Sequence, residues 1–208
     1  MALIGNPIPG ETPLREEDLK DLKLPWIKTR EQLNEVEGEN IVSAKEWALK
    51  SRNAALPGML SDEYIQSLHK RMYRDVWKWA GKIRHHELQN EFASKPSQIR
   101  IDLKNAYNDA KYWLEHLKLG PEEFAVQVHH RIVRVHPFHN GNGRHARLMA
   151  DLILERHFKL APLQWGGGSA LDNDEPNRAN YISALKAADA GDYGALLRLS
   201  CQQDAARK

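Results

Sequence analysis

The sequence predicts a mainly α-helical fold in a single domain, and three observations lead to this prediction. Apolar residues recur at helical spacing along most of the chain. Glycine and proline divide these stretches into segments of ordinary helix length. The chain has 208 residues, of which 41% are apolar, enough for one sizeable core but short for two full domains. We therefore expect residues 29–208 to form one domain, preceded by an extended arm over residues 1–28.

The first helix is predicted from a capping signal that follows the arm. Prolines and a glycine disfavour helix in the segment through Pro13. Thr29 and Gln32 have the spacing of a capping box, in which a hydroxyl and an amide satisfy the backbone donors at a helix start. Apolar residues then continue at helical spacing, so we expect a helix over residues 29–50 despite the unfavourable Gly38.

A second helix is predicted from Ser61 to Gly81, because its apolar residues form one stripe and glycine is a common helix end. Residues 82–95 carry short apolar islands among polar residues, which indicates an irregular excursion or a β-hairpin. The later helices are expected to run from Ile99 towards Gly120, from Pro121, up to about Phe158 after a glycine-rich loop, and twice in the tail beyond a second such loop at 165–169.

Charge and cysteine content exclude several classes of protein. The 30 Lys and Arg residues against 28 Asp and Glu residues leave a net charge of +2, so no global basic field predicts a nucleic-acid or anionic-membrane partner. Cys201 is the only cysteine and cannot form an intrachain disulfide. The start lacks a secretory signal and no stretch resembles a membrane span. We expect a cytoplasmic protein, although an effector exported without such a signal would have the same composition.

Chemistry is concentrated in residues 136–147, which read HPFHNGNGRHAR. Pro137 biases His136 away from helical angles, so the imidazole is expected to project from a turn. Gly141 and Gly143 allow the backbone to approach a ligand with its N–H groups turned inward, at the positive end of the following helix. Together these features predict a phosphate-binding nest.

Arg144 and Arg147 are three residues apart on the helix that follows the nest. Both guanidinium groups can therefore lie on one face, and two arginines favour a polyphosphate over a carboxylate.

The same string resembles the signature of the Fic family, H-P-F-x-(D/E)-G-N-G-R-x-x-R, at every fixed position except the acidic one, where this chain has Asn140. The resemblance implies a Fic-type helical bundle with a small β-hairpin flap. It also implies a protein adenylyltransferase, which transfers AMP from ATP to a Ser, Thr or Tyr hydroxyl of a target protein. His136 would be the base that activates this hydroxyl, in keeping with a neutral imidazole near pH 7.

The resemblance assigns further roles around the nest. Gly141, Asn142, Gly143, Arg144 and Arg147 would bind the phosphates of ATP. The cofactor would be Mg²⁺, for which Asn140 is a weak ligand because its neutral amide replaces a carboxylate. Phe138 would be the buried anchor of the loop.

Segments outside the signature extend the resemblance. WAGKIR at residues 79–84 is similar to the family segment before the flap, so 82–95 is expected to dock an unknown target protein. Strings in the tail and near the start resemble the mobile mystery protein B subgroup. Glu37 and Gly38 match the end of the family's inhibitory helix, which predicts that helix 29–50 is inhibitory through a Glu37–Arg147 salt bridge.

Several alternatives remain at this point. A catalytically weak Fic domain could act as a nucleotide-binding regulator, and a toxin-type phosphotransferase is related, although the kinase-like Doc branch has lysine in place of Gly143. A homo-oligomer or an antitoxin partner also stays open. A metal-dependent hydrolase is disfavoured because the ligand spacing does not fit. The histidines it would use are His129, His130, His136, His139 and His145.

Overall fold

The computed structural model describes residue 14 and residues 16–50, 55–88, 92–116, 119–165 and 175–201, and it confirms the mainly α-helical fold. The α-helices in this part of the chain are α1 (Arg30–Lys50), α2 (Leu56–Met59), α3 (Asp62–Tyr73), α4 (Ile99–His116), α5 (Pro121–Val135), α6 (Asn142–Ile153), α7 (Glu175–Asp189) and α8 (Gly194–Cys201). No helix of the described segments has the length and apolar character needed to cross a membrane.

The start of α1 is the predicted capping box. The Gln32 backbone N–H donates to Thr29 Oγ1 at 3.3 Å, and the Thr29 N–H donates to Gln32 Oε1 at 3.2 Å. The helix packs against α3 and α6, and its buried residues include Leu33 and Glu37. The helix predicted over 29–50 is found at Arg30–Lys50, and its Glu37 side chain faces the protein interior.

Helix α3 begins as predicted but ends earlier. Ser61 is its N-cap and accepts a hydrogen bond from the Tyr64 N–H at 3.2 Å. The predicted continuation to Gly81 is wrong, because the helix ends at Tyr73. Beyond this point the chain turns so that two tryptophans, Trp77 and Trp79, stack on each other with ring centroids 5.1 Å apart. Burial of these rings outweighs the helical periodicity of the sequence.

The described part of the N-terminal arm lies along this turned segment. It contains a 3₁₀ turn at Asp18–Asp21 and a single antiparallel bridge between Leu22 and Trp77. The Lys23 N–H donates to the Val76 carbonyl at 2.8 Å, and the Lys78 N–H donates to the Asp21 carbonyl at 3.0 Å. Residues 1–13 lie outside the described residues, so the extended form expected there stays a prediction.

Helices α5 and α6 form the centre of the domain and contact each other closely. Helix α4 packs on one side of α5, and α8 packs on another. Phe124, Ala125, Met149 and Ile153 are among their fully buried side chains. The helical path after the glycine-rich loop reaches Phe158 as predicted, but its last five residues, Leu154–Phe158, form a π-helical turn. The two helices predicted in the tail are α7 and α8.

The segment at 82–95 shows no strand in its described residues, 82–88 and 92–95. Ile83 forms one isolated antiparallel bridge with Phe138. Residues 89–91 lie outside the described residues, so the hairpin stays a prediction. Most of the second glycine-rich loop also lies outside them, although Trp165 at its start is buried with a φ of 54°.

Candidate active site

The segment that begins at His136, called the motif loop for residues 136–141, starts where α5 ends. His136 has φ 52° and ψ 58°, a left-handed conformation that caps the helix. Such a conformation is uncommon for a residue with a side chain, and Pro137 prevents the helix from continuing. The His136 carbonyl accepts a hydrogen bond from Arg84 Nε at 2.7 Å. The predicted departure of His136 from helical angles is confirmed.

The half-buried imidazole of His136 has a defined tautomer. Its Nδ1 lies 3.1 Å from the Val133 carbonyl, which can only accept, so Nδ1 carries the proton. Nε2 then holds the lone pair. Burial, with a smaller contribution from the positive charges of Arg84 and Arg134, lowers the pKa of His136 to about 4, against the opposing effect of the hydrogen bond to Val133. The ring is therefore neutral and able to accept a proton at pH 7.

Phe138 and Asn142 close the motif loop through a pair of hydrogen bonds. The Phe138 N–H donates to Asn142 Oδ1 at 2.8 Å, and Asn142 Nδ2 donates to the Phe138 carbonyl at 2.8 Å. The Phe138 ring is fully buried and stacks on His69 with centroids 3.7 Å apart. Phe138 is thus the anchor that the resemblance implied. The Asn142 side chain, expected at a phosphate, fastens the loop in this structure.

Gly141 is required by both conformation and space. Its φ is 76°, and a Cβ atom at this position would lie 2.5 Å from the ring of Tyr73. The Gly141 N–H donates to Asn140 Oδ1 at 2.6 Å, so the amide oxygen expected as a weak metal ligand is turned back onto its own loop. Gly143, by contrast, lies inside the first turn of α6.

His69, on α3, links the motif loop to the segment that leads into 82–95. Its Nε2 donates to the Asn140 carbonyl at 3.0 Å, and its Nδ1 accepts from the Gly81 N–H at 2.9 Å. Both ring nitrogens are therefore used by a neutral imidazole. Burial holds the pKa of His69 well below its usual value, and the nearby His145 lowers it further.

The Arg84 side chain donates hydrogen bonds to backbone carbonyls near both ends of the 82–95 segment. The side chain is buried, and besides His136 it donates to the carbonyl of His86 at 2.8 Å and to that of Ser94. Its own N–H donates to the Pro137 carbonyl at 3.0 Å. These hydrogen bonds attach the 82–95 segment directly to the backbone of His136, whose side chain is the candidate general base.

Glu37 reaches the site from α1, and here the structure corrects the predicted salt bridge. The pair with Arg147 is wrong, because the Glu37 carboxylate accepts from Arg144 Nη2 at 2.6 Å. Its other oxygen accepts from Trp77 Nε1 at 2.5 Å. Only 3% of Glu37 is exposed, which excludes the ordinary interpretation of this residue as part of a solvated helix face.

Arg147 faces a different neighbour from Arg144. Its guanidinium carbon lies 5.7 Å from the ring centroid of Tyr181 on α7, whereas that of Arg144 lies 5.4 Å from the ring of Tyr73. One turn of α6 separates the two side chains, and the α1–α6 packing brings Glu37 to the first of them. The two guanidinium groups, one turn apart in the first half of α6, therefore contact different aromatic neighbours.

The remaining histidines of the hydrolase alternative have partners in separate parts of the structure. His129 lies 2.8 Å from the Tyr181 hydroxyl, His130 2.9 Å from Asp189, His139 2.9 Å from Asp18 and His145 3.1 Å from the Ile65 carbonyl. Across the described residues, no group of three His, Cys, Asp or Glu side chains could hold a metal ion. The described site therefore gives no support to a metal-dependent hydrolase.

Comparison with known proteins assigns the region that carries this geometry. Residues 59–154, from the end of α2 to the end of α6, match the model of the Fic/DOC family. This part of the chain belongs to the Fic/DOC family. The match covers α3, the 82–95 segment, the motif loop and both arginines of the Fic domain. Glu37 and Asp18 lie outside it.

Curated relatives of this Fic domain are transferases. The protein adenylyltransferase fic-1 of Caenorhabditis elegans is 30% identical over 169 residues, which cover 76% of this chain and 31% of that protein. A uridine 5'-monophosphate transferase of Xanthomonas campestris is 49% identical over 53 residues, which cover 22% of this chain and 10% of that protein. The chain spans about a third or less of the length of these relatives.

Solved structures show the same fold. Residues 134–508 of C. elegans Fic-1 superpose with a TM-score of 0.58 at 27% identity, covering 86% of this chain and 49% of that one. The Fic domain of the Bartonella effector Bep8 gives a TM-score of 0.61 at 16% identity, covering 90% and 98%. At this lower identity the likeness concerns the fold alone.

Three residues that organise the Fic site were not predicted from the sequence. Trp77 donates to Glu37, Asp18 contacts His139, and His69 bridges two segments. His69 follows Leu68 directly on the predicted apolar stripe of α3, so a buried polar residue on this stripe was the available signal. For Asp18 and Trp77 the sequence carries no comparable pattern.

Proposed function

We propose that this chain is a protein adenylyltransferase that transfers AMP from ATP to a Ser, Thr or Tyr hydroxyl of a target protein. One observation carries the proposal: the motif loop that joins α5 to α6 has at one end a neutral His136 with an unprotonated Nε2, and at the other the N-terminus of α6, a helix end suited to phosphate. The curated adenylyltransferases among the relatives support it.

The chemical step follows from the tautomer of His136. The target hydroxyl gives its proton to Nε2 while its oxygen forms a bond to the α-phosphorus of ATP. The bond between the α-phosphorus and the bridging oxygen breaks, and pyrophosphate leaves with the electron pair. The Val133 carbonyl keeps the ring oriented and stabilises the imidazolium that forms. Arg84 holds the His136 backbone in place through its carbonyl.

The phosphates of ATP would be bound by the first turn of α6 and by two arginines. Asn142 and Gly143 would supply backbone N–H groups at the positive helix end, Gly141 would let the backbone approach the nucleotide closely, and Arg144 and Arg147 would supply charge. The Asn142 amide contributes indirectly, because it holds the loop in shape.

Magnesium fits this site as an ion carried by the nucleotide. The chain's own contribution is the neutral Asn140 amide, whose oxygen is engaged with Gly141. An amide oxygen is a weaker ligand than a carboxylate, so the phosphates and water would supply most of the coordination. When bound, the ion neutralises charge on the departing pyrophosphate.

The target would dock at residues 82–95, the family's flap. An extended segment of the target would pair with the flap as an additional β-strand. The Arg84 contacts support this role, because they fix the flap directly to the backbone of His136. An acceptor hydroxyl held by the flap would thereby lie close to the base.

The Glu37 contacts support an autoinhibited state. Arg144 would bind a phosphate when ATP is present, but the Glu37 carboxylate occupies it at 2.6 Å. The bond from Trp77 holds this carboxylate from the other side. A hydrogen bond to a charged group contributes about 1.5–3 kcal/mol, so the two bonds together oppose the release of Arg144.

The deciding experiment incubates the purified protein with magnesium and ATP labelled at the α- or the γ-phosphate, and follows label on protein. We expect α-label only, a low rate for the unmodified chain, and a rate at least 10-fold higher for Glu37→Gly. Trp77→Phe should give an intermediate rate, because it removes one of the two bonds to Glu37. His136→Ala must remove the signal.

The other outcomes of this experiment identify the alternatives. Transfer of γ-label would indicate a phosphotransferase, and no transfer by Glu37→Gly would indicate a nucleotide-binding regulator. Equal labelling by the unmodified chain and Glu37→Gly would remove the inhibitory role. α-Labelled UTP is included because of the likeness to a uridine 5'-monophosphate transferase, and its preference over ATP would change the nucleotide but not the chemistry.

A further inference from the structure

Asp18 and His139 form a contact between the N-terminal segment and the motif loop. Asp18 Oδ1 lies 2.9 Å from His139 Nε2, and the Asp18 residue is only 4% exposed. A carboxylate accepts and does not donate, so His139 Nε2 carries the proton. Because an uncompensated buried carboxylate is costly, this charge-assisted bond is a specific contact and differs from a chance surface pair.

The His139 ring is surrounded by groups that border the site. It stacks on Trp79 with centroids 5.2 Å apart and meets the edge of His86 at 4.7 Å. His86 belongs to the flap, and its carbonyl is bound by Arg84. The Asp18 bond therefore holds a ring that touches the start of the flap and belongs to the motif loop.

The position of Asp18 is itself fixed by backbone bonds. The 3₁₀ turn at Asp18–Asp21 leads into the paired segment in which Lys78 N–H donates to Asp21 and Lys23 N–H donates to Val76. These bonds attach the turn to the chain just before Trp79. The carboxylate is thus presented to His139 by a segment that is itself hydrogen-bonded to residues 76 and 78.

Each neighbouring part of the motif loop has a separate anchor. The His136 carbonyl is held by Arg84, Phe138 by Asn142, and the Asn140 carbonyl by His69. The His139 side chain is held by Asp18. Of these anchors, Asp18 lies outside the region that matches the family.

We infer that Asp18 is a positioning residue for AMP transfer. It acts through His139 to hold the motif loop in a fixed position relative to the start of the flap. This inference rests on the proposed function and adds the N-terminal segment to the catalytic unit. The hydroxyl docked by the flap and Nε2 of His136 must meet within hydrogen-bond distance. A misplacement of about 1 Å costs roughly 100-fold in rate, and a loosened loop would cost less.

The test uses the full chain carrying Glu37→Gly, so that ATP has access to Arg144. Asp18→Ala removes the acceptor, and Asp18→Asn keeps an oxygen that can still accept from His139 Nε2. Glu16→Ala is the matched control, because it removes an exposed carboxylate two residues away. The measurements are kcat and KM for α-labelled ATP, the His139 ring signals in nitrogen NMR, and amide hydrogen exchange across residues 139–143.

We expect kcat about 10-fold lower for Asp18→Ala, with KM for ATP within about twofold, because α6, which carries Arg144 and Arg147, stays folded. Hydrogen exchange across 139–143 should accelerate and the proton on His139 Nε2 should become labile. Asp18→Asn should restore a large part of kcat, and Glu16→Ala should match the parent.

The inference is overturned if Asp18→Ala behaves like Glu16→Ala in rate and exchange, or if KM rises in proportion to the fall in kcat. If the Glu37→Gly parent transfers no label, the proposed function fails by itself. The His139 tautomer and the exchange rates then still decide whether Asp18 holds the loop.

Discussion

At the residue scale, His136 has a fixed tautomer and a pKa well below that of an ordinary histidine. Its pKa of about 4 lies below the usual value because burial and two arginines disfavour the imidazolium. A general base works in its unprotonated form, so activity that depends on His136 is present above about pH 5 and is lost as the pH falls through 4.

This titration predicts a flat pH–rate profile for Glu37→Gly between pH 5.5 and 8. The rate of α-label transfer should show no inflection near pH 6.5, where an ordinary histidine would lose half of its unprotonated form. Initial rates at saturating ATP test this, with circular dichroism at each pH as the control for folding. A half-maximal rate near pH 6.5 would contradict the proposed environment of His136.

The sequence predicts which residues form the candidate site but does not determine their partners. The motif predicts His136, Arg144 and Arg147 by type and spacing. Glu37 could have reached either arginine, since both follow the glycine loop within two turns of α6. The choice depends on the crossing of α1 over α6, and on the unforeseen bond from Trp77 that orients the carboxylate.

At the element scale, helix starts were easier to predict than helix ends. Thr29 and Ser61 cap α1 and α3 where the sequence indicates, because capping is a local interaction within a few residues. The end of α3 depends instead on tertiary contacts, since the chain beyond Tyr73 turns to pair with residues 21–23. The spacing of apolar residues along the sequence does not predict that pairing.

The cap of α1 gives a prediction for stability. Thr29→Ala removes the acceptor for the Gln32 N–H and should lower the free energy of unfolding by about 1 kcal/mol. Thr29→Ser keeps the hydroxyl and should retain most of that energy. Urea unfolding monitored by circular dichroism measures both variants. Equal losses for alanine and serine would show that the methyl group, and not the cap, stabilises the helix start.

At the scale of the whole molecule, the interior contains an unusual number of neutral histidines. Burial lowers the pKa of each of these: His69, His129, His130, His136 and His145. In the unfolded chain they return to about 6.5. Between the folded and the unfolded pKa values, the unfolded state binds more protons than the folded state. The contribution of these histidines to the free energy of unfolding is therefore fully present above about pH 6.5 and is lost as the pH falls.

This linkage predicts a domain that is unusually sensitive to mild acid. Each such histidine can remove up to about 2 kcal/mol between pH 7 and pH 5, and domains are stable by roughly 5–15 kcal/mol. Urea unfolding at pH 7, 6 and 5 should show a steep fall in the free energy of unfolding. His116→Gln, a change at an exposed histidine, is the control and should leave the slope unaltered. A free energy independent of pH would contradict the burial of neutral imidazoles.

The His69 ring has a mechanical consequence. One nitrogen is hydrogen-bonded to the Gly81 amide, immediately before the flap, and the other to the Asn140 carbonyl in the motif loop. Because the ring is planar and stiff, the two hydrogen bonds keep the Gly81 amide and the Asn140 carbonyl at a nearly constant separation. Together with the Arg84 contacts, the His69 ring thus ties the position of the flap to that of the motif loop.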